Sequence, residues 1–355
     1  MATTAIGDGT LAVTTLSDGG QTALSVAQEI GEFLAGASRR LDLALYDLRV
    51  EGQEEEPIVR ALLDAHARGV RVRIAYNVDH PGPIPVPPPP QCVPDAIEAL
   101  PLETAAISGV PDLMHHKYAV RDGEAVLTGS ANWTEDSWTL QENVLARIAS
   151  SALAAAYALD FEQLWETRAV AGTGRVSPDP VSVDGATVRA WFTPGHGENL
   201  SHRIASRIGR ARRVRICSPV ITAGPILGTL AQVVSDGRAD VAGCVDATQV
   251  ADVLRQWHAN GNAAWKAPLL RRVLEGGGFT GKRSLPWRPD GRHNFMHAKV
   301  TVCDDTVFVG SFNLSRSGQL NAENVLEIVH PALAARLAGF VDEVRARYPA
   351  VDLGA

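Results

Sequence analysis

The chain has 355 residues, 45% of them apolar and 21% charged, which is enough to bury a sizeable core in one or two domains and excludes a disordered or fibrous chain. Lys and Arg number 33 against 40 Asp and Glu, a net charge of −7, which excludes a bulk nucleic-acid coat while leaving a local basic cleft open. Cys92, Cys217, Cys244 and Cys303 lie far apart with no Cys-x-x-Cys pair, so they read as reduced core thiols and not as a zinc site or a disulfide framework.

The first residues, Met-Ala-Thr-Thr-Ala-Ile-Gly-Asp, have no basic start and no apolar run of a secretory leader, and the expected location is cytoplasmic. Apolar stretches such as Ala152–Leu159 are too short to span a bilayer, so any membrane contact is expected to be peripheral. In chain order, the pattern predicts a helix over 22–37, a buried strand at Leu41–Leu48, a helix over 57–68 capped by Gly69, and a strand at Val70–Asn77. Strand, helix, strand with short links indicates a parallel sheet with covered faces. Pro81–Pro90 holds seven prolines and reads as a stiff rim loop near a site, with no clean partner-binding context. A helix follows at Ala152–Glu166. The Gly-, Pro- and Ser-rich stretch Ala169–Ala186 reads as a linker between a first domain, 1–168, and a second, 187–355. The second domain restarts the pattern: strand Val188–Phe192, helix Leu200–Gly209, strand Val214–Ser218, helix Ile226–Val234, strand Val241–Val245 and a closing helix over 332–347.

The two halves share more than layout. The first carries Met114-His115-His116-Lys117, Asp122, Gly129-Ser130-Ala131-Asn132 and Glu142-Asn143. The second carries Met296-His297-Ala298-Lys299, Asp304, Gly310-Ser311-Phe312-Asn313 and Glu323-Asn324. The spacing is 182 residues from His115 to His297, Lys117 to Lys299 and Asp122 to Asp304, and 181 from Asn132 to Asn313 and Glu142 to Glu323. The lost residue falls in a turn. Lys117–Val120 and Ala125–Thr128 read as a hairpin around Asp122-Gly123, and the second copy turns through Asp304-Asp305-Thr306.

Strand alternation puts His115 and Lys117 on one face and His116 on the other; His297 and Lys299 share a face likewise. A lysine buried without a partner costs several kcal/mol, and an anionic ligand removes that cost. Gly-Ser brings backbone close with a hydroxyl, and Asn adds an amide donor. Together the two copies could surround one phosphoryl group. Asp122 and Asp304 sit at the hairpin bends and read as turn residues; His116 reads as a packed histidine.

HxKxxxxD followed by GSxN, twice in one chain, closely resembles the phospholipase D superfamily and its HKD signature. The resemblance extends to LALYDL, RVRIAYNVD, HHKYAVRDGEAVLTGSANWT and FEQLW in the first half, and to Phe192-Thr193-Pro194-Gly195 in the second. It departs only in the shorter second turn. The resemblance implies an α/β fold of two duplicated α-β-α sandwich domains with mixed sheets, related by a pseudo-twofold axis, with one active site at their junction. It implies hydrolysis of a phosphodiester through a phosphohistidine intermediate. By this likeness His115 is the nucleophile and His297 the acid/base; the residues alone leave that choice symmetric. Lys117, Lys299, Asn132 and Asn313 would hold the phosphoryl oxygens, assisted by Ser130 and Ser311. Glu142 and Glu323 would hold the imidazole N–H groups. No cofactor and no metal are expected: there is no HExxH, no carboxylate cluster and no Cys/His ligand spacing.

The substrate class is less legible. GSANWT and FEQLW look most like the compact nuclease and cardiolipin-hydrolase branch. A phospholipid is slightly favoured; the alternatives are an endonuclease on DNA or RNA, or a phosphatidyltransferase sharing the same residues. Arg203, Arg207, Arg210, Arg212, Arg213 and Arg215 read as a solvated basic face, and Lys282, Arg283, Arg288 and Arg292 as a basic loop before His297 suited to phosphates. Trp133, Trp138 and Trp287 could stack bases, meet lipid or pack the rim. The duplication supplies both halves of a site, so no obligate protein partner is expected.

Overall fold

The computed structural model describes residues 1–78, 92–261, 263–285 and 291–352. The first half runs β1 (Ala2–Ile6), β2 (Leu11–Leu16), α1 (Ala23–Ala35), β3 (Arg40–Leu45), α2 (Glu56–Ala67), β4 (Arg71–Val78), α3 (Pro94–Glu98), β5 (Glu103–Ser108), β6 (Lys117–Arg121), β7 (Ala125–Gly129), α4 (Glu135–Thr139), β8 (Asn143–Ala149) and α5 (Ser151–Thr167). The second runs β9 (Val181–Val183), β10 (Ala186–Thr193), α6 (Gly197–Arg210), β11 (Arg213–Cys217), α7 (Gly224–Asp236), β12 (Asp240–Asp246), α8 (Ala247–Asn260), a short 3-10 turn, α9 (Ala267–Gly276), β13 (Phe279–Lys282), β14 (Val300–Cys303), β15 (Thr306–Gly310), α10 (Arg316–Leu320), β16 (Glu323–Val329) and α11 (Pro331–Arg345).

Each half builds one eight-stranded mixed sheet. The orders are β1-β2-β8-β7-β6-β3-β4-β5 and, read from the matching edge, β9-β10-β16-β15-β14-β11-β12-β13. Strand for strand the two sheets correspond. The parallel part is β3-β4-β5 and β11-β12-β13; β6 and β14, the first strands of the hairpins β6-β7 and β14-β15, pair antiparallel to β3 and β11.

The helices form because their apolar residues recur at helical spacing. In α1, Val26, Ala27, Ile30, Phe33 and Leu34 make the buried stripe, and Thr22 caps the start by accepting the Ser25 N–H. That stripe packs with Leu62 of α2 on Leu43 and Ile74, covering the outer face of the first sheet. Helices α6 and α7 do the same for the second, with Ile204 and Leu230 over Val214 and Ile216. The inner faces share one cluster, in which Tyr157 and Phe161 of α5 and Phe340 and Val341 of α11 pack with Val144, Val300 and Leu326 from both sheets. Each fully buried side chain of this size contributes about 1.5–3 kcal/mol. Apolar burial therefore fastens the halves together and fixes how their strand ends face one another.

The expected elements of the parallel units are present with shifted ends. The linker reading is corrected in part: β9 lies inside 169–186 and pairs with β10 as an edge hairpin, so that stretch is not free chain. Its counterpart β1-β2, unmarked by clear alternation, was not expected. Pro81–Pro90 lies outside the described residues. Cys217, Cys244 and Cys303 are buried free thiols, and Cys92 is half-buried. Among the described residues no helix is long and apolar enough to cross a membrane.

Candidate active site

The hairpins β6-β7 and β14-β15 bring both motif copies to the junction of the halves. Asp122 and Asp304 stand at the far ends, with φ of 56° and 52°. Asp122 accepts the backbone N–H groups of Ser38, Arg39 and Arg40, and Asp304 those of Arg212 and Arg213. Each carboxylate thus ties its hairpin to the loop before β3 or β11, away from the histidines. At the near ends Gly129 and Gly310 are required by crowding: a Cβ would overlap the Val144 or Asn324 carbonyl oxygen. That approach lets Ser130 N–H donate to Val144 and Ser311 N–H to Asn324.

The histidine strands are set by matching contacts. Met114 N–H donates to Asn77 Oδ1 at 3.1 Å, and Met296 N–H to Asp246 Oδ2 at 3.0 Å, each from the end of the neighbouring parallel strand. His115 N–H donates across the junction to the Ala322 carbonyl at 2.8 Å. Lys117 Nζ donates back to the His115 carbonyl at 2.9 Å, and Lys299 Nζ to the His297 carbonyl at 2.6 Å. Lys117 also lies 4.7 Å from the centre of the Tyr46 ring, which in turn meets His115 edge-on.

Both lysines are buried, 2% and 5% exposed, and neither has an ion-pair partner among the described residues. Burial holds Lys117 down to about 7, against the pull of Glu323 and Asp47. Burial, then the Lys117 charge, holds Lys299 well below its usual value. Burial and the two lysines also push His115 and His297 well below the usual histidine range. The protein's own electrostatics therefore hold neither imidazole charged: both favour the neutral form. A diester anion between them would oppose the cause in every case. Among the described residues Asn132 Oδ1 and Asn313 Oδ1 are buried atoms without a hydrogen-bond partner.

The imidazole partners break the symmetry. His115 Nδ1 lies 2.7 Å from Glu323 Oε2, contributed by the other half. Burial pushes this carboxyl up to about 7, offset first by Lys117. His297 Nδ1 lies 3.1 Å from Asn143 Oδ1, not from Glu142. The expectation for Glu142 is thus corrected. Lys282 Nζ takes its Oε2 at 3.0 Å, and Tyr348 OH donates to its Oε1. The seryl hydroxyls are also placed differently from expectation. Ser130 Oγ donates to Asn143 Oδ1 at 2.7 Å, and Ser311 Oγ accepts Asn324 N–H at 3.0 Å, so they hold the frame. His116 is fully buried, with Nε2 3.1 Å from Asp160.

Several contributors escaped the sequence reading. Asn143 belongs to the repeated Glu-Asn doublet, in which the resemblance points only to its neighbour Glu142. Asp47 lies buried in LALYDL, close enough to act on Lys117; burial, then Asp136, pushes its carboxyl up to about 7. Most of the expected basic cleft is engaged elsewhere. Arg203 and Arg207 pair with Glu327, Arg213 and Arg215 with Asp342, and Arg292 with Glu135. Lys282 is buried against Glu142 and Asp18. Arg283 is exposed. Trp133 and Trp138 are core residues at 1% and 0% exposure. Arg288 and Trp287 lie outside the described residues. Among the described residues no three His, Cys, Asp or Glu side chains are grouped to hold a metal ion.

Comparison with known proteins agrees with this duplicated arrangement. A family model described as "Cardiolipin synthase, PLD-like domain" matches residues 30–165 and 204–344. Mitochondrial cardiolipin hydrolase of Xenopus laevis is 34% identical over 137 residues, 38% of this chain and 58% of that protein. The Homo sapiens protein of the same name is 28% identical over 141 residues, 38% of this chain and 48% of that one. The match thus spans about half the length of these curated relatives. Among solved structures, phosphatidylserine synthase of Haemophilus influenzae Rd KW20 superposes with a TM-score of 0.65 at 14% identity, covering 97% of this chain and 87% of that one. Polyphosphate kinase from Porphyromonas gingivalis gives 0.60 at 12% identity, covering 94% and 46%.

Proposed function

The chain belongs to the phospholipase D superfamily, with one PLD-like unit in each half, and from that premise we propose that it cleaves a phosphodiester, preferably of a phospholipid, through a phosphohistidine intermediate and without a metal. The observation that carries the reading is the junction itself, where two buried imidazoles lie close enough to both motif lysines to feel their charge, and where neither lysine has an ion-pair partner among the described residues.

His115 Nε2 attacks phosphorus while Glu323 accepts the Nδ1 proton in a hydrogen bond and steadies the positive charge that develops on the ring. The N–P bond forms as the bond to the leaving alcohol breaks. His297, charged once the diester's anion offsets the lysines, gives its proton to the leaving oxygen. Neutral again, it takes a proton from water, whose oxygen attacks phosphorus and breaks the N–P bond. Lys117, Lys299, Asn132 and Asn313 hold the non-bridging oxygens, and the lysines supply the positive charge the transition state needs.

A lipid is favoured over a polynucleotide because most of the arginines that could have tracked a phosphate backbone are tied to Glu327, Asp342 and Glu135. The names of the cardiolipin-hydrolase relatives point the same way. A cytoplasmic location and peripheral membrane contact belong to this reading, and the buried free thiols suit a reducing compartment. The test is a panel of EDTA-treated protein with a chromogenic diester, phospholipid, single-stranded DNA and RNA, with and without added alcohol. Expected are cleavage of the chromogenic diester and the lipid, and none by His115→Ala. A metal requirement or an active mutant overturns the mechanism. Cleavage of nucleic acid alone overturns the substrate, and an alcohol adduct as main product makes the protein a transferase.

A further inference from the structure

The two halves differ at one position beside the motif strands. In the first half the pairing of β3 with β6 sets Leu45 opposite Lys117, and the Tyr46 N–H donates to the His116 carbonyl at 2.8 Å, so the pairing runs on past the end of β3. The next residue is Asp47. Its carbonyl accepts the Trp133 N–H at 3.0 Å, and the Arg49 N–H donates to the Trp133 carbonyl at 3.2 Å. Trp133 directly follows Asn132. The chain at Asp47 is therefore fastened to the strand that carries Lys117 on one side and to the turn that carries Asn132 on the other.

The second half repeats this backbone and not the side chain. Leu48 bridges to Trp133 and Ile221 to Leu314 in the same parallel sense, and Leu314 stands 181 residues after Trp133, the motif spacing. The Thr222 N–H donates to the Leu314 carbonyl at 2.7 Å, as the Arg49 N–H does to Trp133. Val220 thus stands where the first half has Asp47, and one half has a carboxylate where its twin has an apolar side chain.

Asp47 is 3% exposed, and its Oδ1 is a buried atom with no hydrogen-bond partner among the described residues. A carboxylate so placed is costly unless an opposite charge lies near. The charged groups that face it are Lys117 on β6, Asp136 on α4, Arg49 in the loop after β3 and Glu55 just before α2. Two of these are cations, Arg49 at the surface and Lys117 inside. Lys117 is drawn in turn by two carboxylates, Glu323 from the other half and Asp47 from its own. Lys299 is drawn by Glu323 alone among the described residues. The Lys117 ammonium spends one N–H on the His115 carbonyl and has two more to offer.

We propose that Asp47 is a positioning residue that keeps the positive charge of the empty site on Lys117 and leaves Lys299 the neutral amine. The inference rests on the diesterase reading above and deepens it, because it separates the tasks of the two halves before the substrate arrives. After burial, each imidazole is affected most by the lysine of its own strand. An ammonium at Lys117 keeps His115 unprotonated, as a nucleophile must be. A neutral amine at Lys299 removes the nearest charge opposing a proton on His297, the acid. The diester anion then supplies the pull on Lys299 that Val220 does not.

The test begins with the full-length protein free of ligand. Lysine labelled with carbon-13 at Cε reports each amine's titration by NMR, and the signals lost in Lys117→Met and Lys299→Met assign the two. Expected is that Lys117 holds its proton to higher pH than Lys299 in the natural protein, and that its midpoint falls by about one pH unit or more in Asp47→Asn. Asp47→Glu restores the midpoint at least in part, and Asp47→Val, which copies the second half, lowers it as Asp47→Asn does. The reverse order of the two lysines in the natural protein, a comparison that needs no folded Asp47 variant, overturns the proposal. So does an unchanged Lys117 midpoint in Asp47→Asn. Inorganic phosphate is then titrated by calorimetry. Its binding to Asp47→Asn is expected to be about tenfold weaker at about pH 8 and within about twofold at about pH 5.5, since one unit of midpoint is tenfold in the charged fraction. An equal loss at both pH values marks a merely structural role and overturns the proposal. Tighter binding at about pH 8 shows a carboxylate that only repels anions and overturns it too. The amine titration needs neither substrate nor turnover, so a natural protein that does not cleave the chromogenic diester loses the diesterase reading by itself, and the role of Asp47 is still decided.

Discussion

The two histidine strands, β6 and β14, are near copies, with the same lysine bond to the histidine carbonyl and the same side-chain oxygen receiving the methionine N–H. Their imidazoles nevertheless meet different partners, a carboxylate at His115 and a neutral amide at His297. The difference traces to one residue. Lys282 ends β13 beside Asp246 and captures Glu142; at the matching register position of β5, beside Asn77, stands the buried, apolar Ile107, which has no charge to offer Glu323. A carboxylate stabilises a ring that becomes positive and stays so, as a phosphorylated nucleophile must. An amide fixes the tautomer while leaving the ring free to give up its proton, which suits an acid/base. A duplicated scaffold can thus divide labour by a single buried cation placed outside the motif.

That contrast can be broken most directly at the histidines. His115→Ala is expected to abolish turnover. His297→Ala is expected to lower kcat by about 10²–10⁴-fold on a poor leaving group and far less on nitrophenol, with labelled phosphate trapped on the protein. Label trapped in His115→Ala instead reverses the assignment. The carboxylates come next. Glu323→Gln is expected to reduce kcat by about 10²-fold or more with little loss of stability, whereas Glu142→Gln leaves Lys282 with Asp18 as its remaining carboxylate among the described residues and costs about 1–3 kcal/mol in denaturant unfolding, with kcat down by less than about tenfold. Equal kinetic effects of the two would erase the distinction between the halves.

A smaller effect sharpens what the halves share. Lys117 is held to about 7 in the folded protein against 10.5 in its reference state. Between these values the unfolded chain carries a proton the folded one has lost, so this group makes stability rise with pH across that window. Lys117→Met is therefore expected to raise stability by about 2 kcal/mol at pH 7, with the gain shrinking toward pH 10, while removing phosphate binding. In the natural protein phosphate binding at pH 8 should take up about one to two protons, read by calorimetry in buffers of different ionisation enthalpy. Proton release would contradict the electrostatics described here. The smallest effect lies at the turns: Asp122→Ala is expected to cost about 1–2 kcal/mol through its lost bonds to Ser38, Arg39 and Arg40, with kcat unchanged.

The repeat of His, Lys, Asp and Asn was legible because those residues lie on short hairpins, where alternation and turn chemistry decide facing locally. The helices α1, α2, α5 and α11 were legible from apolar spacing, for burial of one stripe demands it. The hairpin β1-β2 and the edge strand β9 were not, since a strand at the sheet edge need not alternate, whereas β10 was legible at Val188–Phe192. The basic run Arg203–Arg215 is largely solvent-facing, but its pairing was not legible for a related reason: Glu327 and Asp342, which neutralise four of its arginines, are more than a hundred residues away in the chain.

By itself the sequence determined the duplication, the α/β class and the identity of the histidine, lysine and asparagine groups, because all of these follow from periodicity and repeated spacing. Only the tertiary structure decided that Glu323 and not Glu142 serves a histidine, and that Ser130 and Ser311 brace the frame. Those outcomes depend on which side chains from distant segments reach a buried partner first, and a charge in a low-dielectric junction bonds to the nearest opposite group, whatever its place in the chain.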